Sequence, residues 1–235
     1  MPIRFLTEES VDPYHNLAKE WVLTKHAVRG TCILYLWQNQ RTIVIGRNQD
    51  PLSECRAEAF QGSGGKIARR KSGGGAVFHD LGNLNYSFIH DLRDPYGNAY
   101  REVLLTALAA AGIQAEFSGR NDILVRGRKI SGYASYETGT RCCRHGTLLL
   151  NTDIAEMERW LTPDLDKMER HRIRSVSSRV INLQEIRKDL SVEKMIRLLA
   201  DASGGLWLEG APDSGQVAEA EKHFADQEWI MGGRE

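Results

Sequence analysis

The stretch ARRKSGGGAVFHDLGNLNYSF, residues Ala68–Phe88, places three adjacent cations, Arg69–Lys71, beside three adjacent glycines, Gly73–Gly75. Glycine has no Cβ, so its main chain can approach a ligand closely, and successive N–H groups can donate to anionic oxygens. A flexible linker would not require the cations, and a basic surface patch would not require the glycines. The combination predicts a loop that brings its main chain close to an anionic group, followed by strand-like sequence.

Strand-like and helical runs alternate along the rest of the chain. Strands are predicted at CILYLWQ (32–38) and TIVIG (42–46) as one hairpin, at AVF and LNYSFI on either side of Asp80–Asn83 as another, at two runs around Gly127 within 122–136, and at GTLLLN (146–151). Helices are predicted at 12–27, from Asp94-Pro95 to Gly112, and at about 153–160, 191–203 and 215–224. Hairpins with interspersed helices predict an α+β fold, a mixed, largely antiparallel sheet with flanking helices.

Composition narrows the class of protein. The 235 residues are 41% hydrophobic, which suffices for one domain over residues 1–235. Lys+Arg and Asp+Glu are both 31, and this balance argues against a nucleic-acid partner. The N-terminus carries charge early, and no apolar run approaches the roughly 20 residues that cross a bilayer. We therefore expect no signal peptide, no membrane partner and a cytoplasmic location.

The four cysteines, Cys32, Cys55, Cys142 and Cys143, contain no CxxC pair. Two of them are adjacent in sequence, which is poor geometry for pairing with each other. This spacing favours ordinary reduced thiols over a zinc site or a disulfide framework.

Common nucleotide-binding motifs are absent. The residue after Gly65-Lys66 is isoleucine, which excludes a P-loop, and Phe78 stands where a dinucleotide-binding fingerprint needs its third glycine. A second polar constellation, SGRNDILVRGRKISG, covers residues 118–132. Its basic tip fits a solvated hairpin. Lys129, between a strand and Gly132, fits either that hairpin or a ligand contact.

Together these stretches resemble the lipoate–protein ligases. The matching segments, in the family's order, are Asp12-Pro13, LWQN (36–39), VIGRNQ (44–49), ARRKSGGGAVFHDLGN (68–83), SGRND (118–122), RKISG (128–132), HGTLLLN (145–151) and SSRVINL (177–183), with EWIMGG (228–233) near the end. The family resembles class II aminoacyl-tRNA synthetases and biotin ligases in fold, which agrees with the α+β prediction.

The resemblance implies a two-step ligase. Lipoate and ATP, with Mg²⁺, form lipoyl-adenylate, and the acyl group then passes to a lysine of a lipoyl-accepting domain. The implied partners are the lipoyl domains of 2-oxoacid dehydrogenase E2 subunits and the glycine-cleavage H protein. Many family members continue past the block matching 228–233 into a C-terminal accessory domain. We expect residues 1–235 to be a single catalytic domain without that accessory domain, whose role a separate accessory protein can take.

The resemblance also assigns site residues. The nucleotide-binding set is Arg70, Gly75, Ala76, Val77, Phe78, Asn121, Asp122 and Lys129. The lipoate-binding set is Ser72, Gly73, Gly74, Gly75, Lys129 and His145. Asp122 matches a Mg²⁺ ligand, and Lys129 matches the catalytic lysine, an ammonium that bridges carboxylate and phosphate. Residues 170–183 match a loop that covers the adenylate. Lys71 is expected to face solvent, and structural hydrogen bonds are expected for His79 and His145.

Two other functions remain open. An octanoyl or lipoyl transferase of the same superfamily would use a cysteine nucleophile upstream of the lysine motif and no ATP, but no cysteine lies between Cys55 and Cys142. A lipoate or lipoyl-AMP binding module would retain the fold without turnover. A biotin ligase would have a glycine-rich signature that differs from RRKSGGGAVFHD in this sequence.

Overall fold

An eight-stranded sheet forms the centre of the computed structural model, which describes residues 3–119, 121–162, 179–210 and 212–232. The strands are β1 (Ile3–Thr7), β2 (Cys32–Trp37), β3 (Thr42–Ile45), β4 (Lys66–Arg69), β5 (Val77–His79), β6 (Asn83–Asp91), β7 (Glu116–Ser118), β8 (Asp122–Val125), β9 (Arg128–Thr138), β10 (Arg141–Leu149) and β11 (Leu206–Trp207). In the large sheet they run in the order β11-β1-β2-β6-β10-β9-β8-β7.

The pairing confirms the predicted sheet class. β1 lies parallel to β2 and β11, and the other neighbours in the large sheet are antiparallel. β8 and β9 form the predicted hairpin, and its two turn residues, Arg126 and Gly127, have φ of 52° and 73°. Positive φ at both central residues is the geometry that suits the twist of a two-residue hairpin.

The other two predicted hairpins, β2–β3 and β5–β6, are wrong. In each pair one strand belongs to the large sheet and the other, β3 or β5, to a second sheet of order β4-β3-β5. β2 is buried at every position and pairs within the large sheet, whereas β3 pairs with β4 and β5. Arg41, with φ of 37°, turns the chain between the two sheets. The loop Arg70–Ala76 therefore connects two strands of the small sheet, β4 and β5.

Helices cover the sheets. They are α1 (Pro13–His26), α2 (Pro51–Glu54), α3 (Ala57–Gly62), α4 (Ala99–Ala110), α5 (Ile154–Trp160), α6 (Leu183–Ile186), α7 (Val192–Ala202), α8 (Ser214–Ala225) and α9 (Gln227–Gly232). Within the described ranges, no helix combines the length and the apolar character that a bilayer crossing requires. α1 begins as predicted, because Asp12 accepts from two main-chain N–H groups of its first turn.

The predicted helix start at Asp94-Pro95 is wrong, since α4 begins at Ala99. The Asp94 carboxylate is engaged elsewhere and accepts from the main-chain N–H of Gly30 at 2.7 Å. The predicted end is close to the observed one, and Gly112 follows the helix with φ of 74°.

The large sheet separates two hydrophobic cores. One face, with Tyr35 and Trp37, packs against α1, the small sheet and α9. The opposite face, with Leu34 and Phe88, packs against α4 and α7. Side chains alternate between faces along each strand, so the polar residues Asn85 and His145 project toward the first face. A cavity opens there.

Candidate active site

A cavity of about 370 Å³ lies between the first face of the large sheet and the small sheet. Predicted site residues that line it are Arg70, Gly74, Gly75, Ala76, Val77, Phe78, Asn121, Lys129 and His145. Three further predicted residues, Ser72, Gly73 and Asp122, contact members of this set. The structure thus brings the glycine loop and Lys129, which lies 54 positions after Gly75, to one site.

Arg69 is fully buried and holds main-chain carbonyls. Its Nε donates to Trp229 O at 2.9 Å and to Ile230 O at 3.0 Å, at the end of α9. Its Nη1 contacts the oxygens of Gly46, Arg47 and Gln49. Arg69 therefore bonds α9 to β4, the strand that leads into the glycine loop.

Arg70 holds the glycine loop itself. Its Nη2 donates to the oxygens of Gly73 and Gly75, both at 2.8 Å, and its Nε donates to Ser72 Oγ at 3.0 Å. Burial lowers the pKa of Arg70 to about 10. Gly74, with φ of 93°, completes the turn, and a Cβ there would lie 3.0 Å from Arg70 Nη2. These hydrogen bonds hold both the Arg70 guanidinium and the glycine loop in fixed positions.

Lys71 was expected to face solvent, but its side chain instead contacts aromatic residues. Its ammonium lies 3.9 Å from the ring centroid of Trp229 and 2.8 Å from His223 Nε2. A cation over an indole face is attracted by the negative potential of the ring. The three cations therefore bind carbonyls and aromatic rings, and they hold the loop in a fixed shape.

Ser72, His145 and Glu20 form a buried hydrogen-bonded chain. Glu20 accepts from His145 Nδ1, with both oxygens at 2.9 Å, and His145 Nε2 lies 2.6 Å from Ser72 Oγ. Because the Nδ1 proton goes to the carboxylate, Nε2 accepts from the serine hydroxyl. Ser87 also donates to Glu20 at 2.5 Å. The structural role expected for His145 agrees with these contacts.

Lys129 lies near the start of β9, and its side chain extends over Gly132 at the cavity. Its Nζ lies 2.7 Å from Asp122 Oδ1, and each side chain is one-third exposed. A Cβ on Gly132 would lie 2.7 Å from that Nζ, so glycine is what allows the ammonium to rest there. The main chain of Lys129 bonds to Arg179 and Ile181. Residues 170–178 of the predicted covering loop lie outside the described residues, whereas Arg179 and Val180 line the cavity.

Residues 12–203 match the lipoyl protein ligase A/B catalytic domain family. The chain belongs to this family. A relative, lipoate-protein ligase A of Blochmanniella pennsylvanica (strain BPEN), is 42% identical over 205 residues, which are 85% of this chain and 60% of the relative. The chain thus spans less than two thirds of the length of that relative.

Two solved structures share the ligase fold. One is the archaeal lipoylation system of Thermoplasma acidophilum, a bi-partite lipoate protein ligase and its E2 lipoyl domain, with a TM-score of 0.84, 24% identity and coverage of 100% of this chain and 98% of that chain. The other is a lipoate-protein ligase A bound with ATP, with a TM-score of 0.83, 23% identity and coverage of 100% of both chains.

Several residues that line this cavity were not predicted from the sequence. Glu54 at the end of α2 accepts from the main-chain N–H of Ala76 at 2.7 Å, so it takes one donor of the predicted nucleotide loop. Trp37, Asn85 and Arg179 also line the cavity. Trp37 lay inside a quoted family segment, and Arg179 in the predicted covering loop. For the acidic and amide side chains the sequence carried no signal, since each occupies one polar position in an otherwise ordinary element.

The cysteines of the ligase domain are buried thiols. Burial raises the pKa of Cys32 to about 12 and that of Cys55 to about 11, and it also raises the pKa of Cys142 and Cys143. Glu20, Cys143 and His145 offer one ligand atom each within 4.8 Å of one another. The carboxylate and imidazole atoms of that group already bond to each other.

A larger hollow, about 580 Å³, lies between α1, β1 and the segment before α8. Its charged lining mixes both signs, with Arg4 as well as Glu209 and Asp213. Among the described residues that line it, none belongs to the predicted site. The smaller cavity, which joins the glycine loop to Lys129, is the candidate active site.

Proposed function

We propose that this chain attaches lipoate to a lysine of a lipoyl-accepting protein, with ATP as the activating substrate and lipoyl-adenylate as the intermediate. The observation that carries the proposal is the position of Lys129, whose ammonium lies beside Asp122 in the same cavity as the preorganised glycine loop. The names of the Blochmanniella relative and of the ATP-bound ligase structure support lipoate and ATP as substrates.

Activation joins two anions. A carboxylate oxygen of lipoate attacks the α-phosphorus of ATP, the bond to the β-phosphate bridging oxygen breaks, and pyrophosphate leaves. The reactants repel each other, so the site must supply positive charge where they meet. In our proposal Lys129 supplies it and lies between the carboxylate and the α-phosphate. A point charge on a flexible stem suits this role.

Transfer consumes the adenylate. The uncharged amine of the acceptor lysine attacks the acyl carbon, AMP leaves with the mixed-anhydride oxygen, and the nitrogen loses a proton as the amide forms. Lys129 keeps the acyl phosphate oriented for this attack. Arg179 and Val180 cover the same end of the cavity. Excluding water there protects the mixed anhydride from hydrolysis.

The remaining predicted residues take roles that fit their positions. Main-chain groups of Gly75–Phe78 and the side chain of Asn121 contact the nucleotide, whereas Ser72–Gly75 and His145 hold the lipoyl group. Arg70 acts on the nucleotide by fixing the loop through its carbonyl contacts. These assignments follow from the family resemblance together with the cavity lining.

A Mg²⁺ ion fits one carboxylate beside this cavity. Mg²⁺ is commonly held by one or two carboxylates together with substrate phosphate oxygens. Asp122 is one-third exposed and contacts the ammonium of Lys129, which lines the cavity, so its carboxylate can hold the ion near the phosphates. When bound, the ion would neutralise phosphate charge.

The proposed partners are the lipoyl domains of E2 subunits and the glycine-cleavage H protein. The Thermoplasma lipoylation system, described as a bi-partite lipoate protein ligase and its E2 lipoyl domain, supports the first of these, and the bi-partite nature of that ligase motivates a separate accessory protein. We treat residues 1–235 as one catalytic domain. The chemistry of transfer requires only an acceptor lysine beside the acyl carbon of the bound adenylate.

A side-by-side assay tests this function. The purified chain is given an apo lipoyl domain and either lipoate with MgATP or synthetic lipoyl-AMP, and acylation of the domain is followed by intact mass. We expect transfer from lipoyl-AMP in both the presence and the absence of an accessory protein. Equal rates with lipoate and MgATP would show that the chain activates lipoate by itself. No transfer from lipoyl-AMP would overturn the proposal.

The transferase alternative needs an accessible thiol nucleophile. Among the described residues the four cysteines are buried, and their raised pKa values disfavour thiolates. A non-catalytic binding module would bind lipoyl-AMP but would not exchange pyrophosphate into ATP in the presence of lipoate. Pyrophosphate exchange therefore separates this reading from the ligase.

A further inference from the structure

One buried group of side chains has the composition of a metal site. Among the residues that the structure describes, Glu20, Cys143 and His145 place a carboxylate oxygen, a thiol sulfur and an imidazole nitrogen within 4.8 Å of one another. The three residues are 2%, 0% and 7% exposed. Thiolate, imidazole and carboxylate are the ligands that Zn²⁺ takes in proteins, and three protein ligands leave its fourth position open.

Two elements bring these ligands together. Cys143 and His145 are two positions apart on β10, so their side chains project from the same face of the sheet. Helix α1 packs against that face and supplies Glu20. The group is therefore made by long-range packing, and the spacing of the cysteines in sequence does not reveal it. His145 also lines the cavity, which gives an ion a path to the group.

The existing hydrogen bonds define what an ion must replace. His145 Nδ1 lies 2.9 Å from both carboxylate oxygens of Glu20, with its proton directed at them. A tetrahedral Zn²⁺ with bonds of about 2.0–2.3 Å holds its ligand atoms roughly 3.3–3.7 Å apart. The imidazole and the carboxylate must therefore separate by about half an ångström, and the sulfur must approach by about an ångström or less. Side-chain rotation supplies movements of this size.

Ser72 allows the proton on the imidazole to change sides. With Nδ1 on the metal, the neutral ring of His145 carries its proton on Nε2, which lies 2.6 Å from Ser72 Oγ. That nitrogen then donates to the serine, and the serine hydroxyl must turn to another acceptor. The main-chain oxygen of Gly73 lies 3.4 Å from the same Oγ. The hydrogen-bonded chain therefore reverses without leaving a buried group unpaired.

The charges of the group balance those of a divalent cation. The carboxylate of Glu20 carries one negative charge, and Cys143 is a neutral thiol because burial raises its pKa. A bound Zn²⁺ displaces the thiol proton to solvent, so thiolate and carboxylate together cancel its two positive charges. The proton lost from Nδ1 of His145 is matched by the one gained on Nε2. A neutral group thus replaces a buried carboxylate, which limits the cost of burying the ion.

We propose that Glu20, Cys143 and His145 form a binding site for a thiophilic divalent cation such as Zn²⁺, and that the bound ion inhibits the enzyme reversibly. Binding rests on the three ligands alone. Inhibition rests on the proposed function, in which Ser72 and His145 hold the lipoyl group and lose their present arrangement when the ion binds. Mg²⁺ prefers oxygen ligands and does not compete for a thiolate, so this site differs in chemistry from the carboxylate of Asp122.

Co²⁺ is the probe for binding, because a thiolate bound to it gives a charge-transfer band in the near ultraviolet. The full chain, reduced and freed of metal by a chelator, is titrated with Co²⁺, and Zn²⁺ then displaces the cobalt. We expect a thiolate band that saturates at one equivalent. Cys143→Ala should lose this band. Loss of an outer partner of a metal ligand already weakens binding by about 10–100-fold, so loss of the ligand itself should lower Zn²⁺ affinity by about 100-fold or more.

Cys142→Ala is the matched control. This thiol is the neighbour of Cys143 on β10, but its side chain projects from the opposite face of the sheet. The variant should retain both the cobalt band and the Zn²⁺ affinity of wild type. Folding of each variant is checked by circular dichroism. If Cys143→Ala does not fold, Cys143→Ser decides the matter, because it keeps the size of the side chain and lacks the sulfur.

Transfer from synthetic lipoyl-AMP to an apo lipoyl domain measures inhibition. Zn²⁺ should slow transfer by wild type and by Cys142→Ala, and excess chelator should restore the rate. Cys143→Ala should need about 100-fold more Zn²⁺ for the same inhibition. Equal sensitivity of Cys143→Ala and wild type would overturn the inhibitory role of the site.

The outcomes separate the metal site from the function of the enzyme. Absence of a thiolate band in wild type with millimolar Co²⁺, or the same band in folded Cys143→Ala, would overturn the site. No transfer from lipoyl-AMP by metal-free wild type would overturn the proposed function, whereas a cobalt band that depends on Cys143 would still support the site.

Discussion

Arg69 and Trp229 exchange hydrogen bonds across 160 positions of the chain. Arg69 Nε donates to Trp229 O at 2.9 Å, and Trp229 Nε1 donates back to Arg69 O at 3.1 Å. The ammonium of Lys71 lies over the same indole ring in a cation–π contact. Helix α9 therefore fixes the segment immediately before the glycine loop, although it lies beyond the region 12–203 that matches the family.

Replacing Trp229 should loosen that segment. Trp229→Ala removes a buried ring and both of its contacts, and we expect a loss of about 3–5 kcal/mol in the free energy of unfolding. Trp229→Phe retains a ring for Lys71 and loses one donor, at a cost of about 1 kcal/mol. Urea titration measures both. Met231→Ala, on the same helix but 38% exposed, is the matched control. A midpoint for Trp229→Ala equal to that of the control would contradict the assigned role.

Lys129 should be required for adenylate formation and not for folding. Lys129→Ala removes a preorganised charge from the place where two anions meet, so the rate should fall by about 10²–10³. The side chain is one-third exposed, and the unfolding midpoint should stay near that of wild type. Pyrophosphate exchange measures the rate, with Lys188→Ala as an exposed lysine control. Near-normal lipoyl-AMP formation by folded Lys129→Ala would remove the assignment.

His79 should make the protein less stable in mild acid. Its folded pKa, about 3, lies below the value near 6.5 of an unfolded histidine. The unfolded state therefore binds an extra proton between these values, and stability present above pH 6.5 is lost as the pH falls toward 3.

The loss approaches about 1.4 kcal/mol for each pH unit once the pH is well below 6.5. Urea unfolding at pH 7 and pH 5 measures it, and His79→Gln, which cannot take up a proton in this range, should show a shallower change. The same slope in both proteins would mean that His79 is not buried as a neutral ring.

The cysteines should be dispensable for chemistry. The acyl group is activated as an adenylate in the proposed reaction, so a chain with all four cysteines replaced by alanine should still transfer from lipoyl-AMP, within about tenfold of wild type if it folds. Intact mass after incubation with an acyl donor provides the complementary measurement. A thioester on Cys142 or Cys143 would move the protein to the transferase branch.

The sequence predicted the positions of helices and strands better than it predicted which strands pair with each other. Periodicity and turn residues located α1, α7 and the β8–β9 hairpin, because these depend on contacts between residues close in the chain. It paired β2 with β3 wrongly, since a short polar connection suits a hairpin as well as a crossing between two sheets. Nothing local distinguishes these outcomes; only the pairing of β3 with β4 and β5 does.

The site divides in the same way. The glycine loop and Lys129 were predicted as site residues from their residue types, and the structure places both at one cavity. The partners of Arg69 and Lys71 were not, because those partners lie in α8 and α9, far along the chain. Glu20 is one acidic position on a helix in the sequence, and only the fold sets it against His145.

The main chain of Lys129 is held on both sides of its side chain: its N–H donates to Arg179 O at 2.7 Å, and its carbonyl accepts from Ile181 at 2.9 Å. Local opening of 179–181 must therefore break contacts to the residue that is proposed to grip the substrate. By linkage, a ligand that binds only the closed arrangement adds its own binding free energy to the energy of opening. Amide protons at positions 129 and 181 should then exchange with solvent as one cooperative unit, slowed by the same factor when the ligand is present.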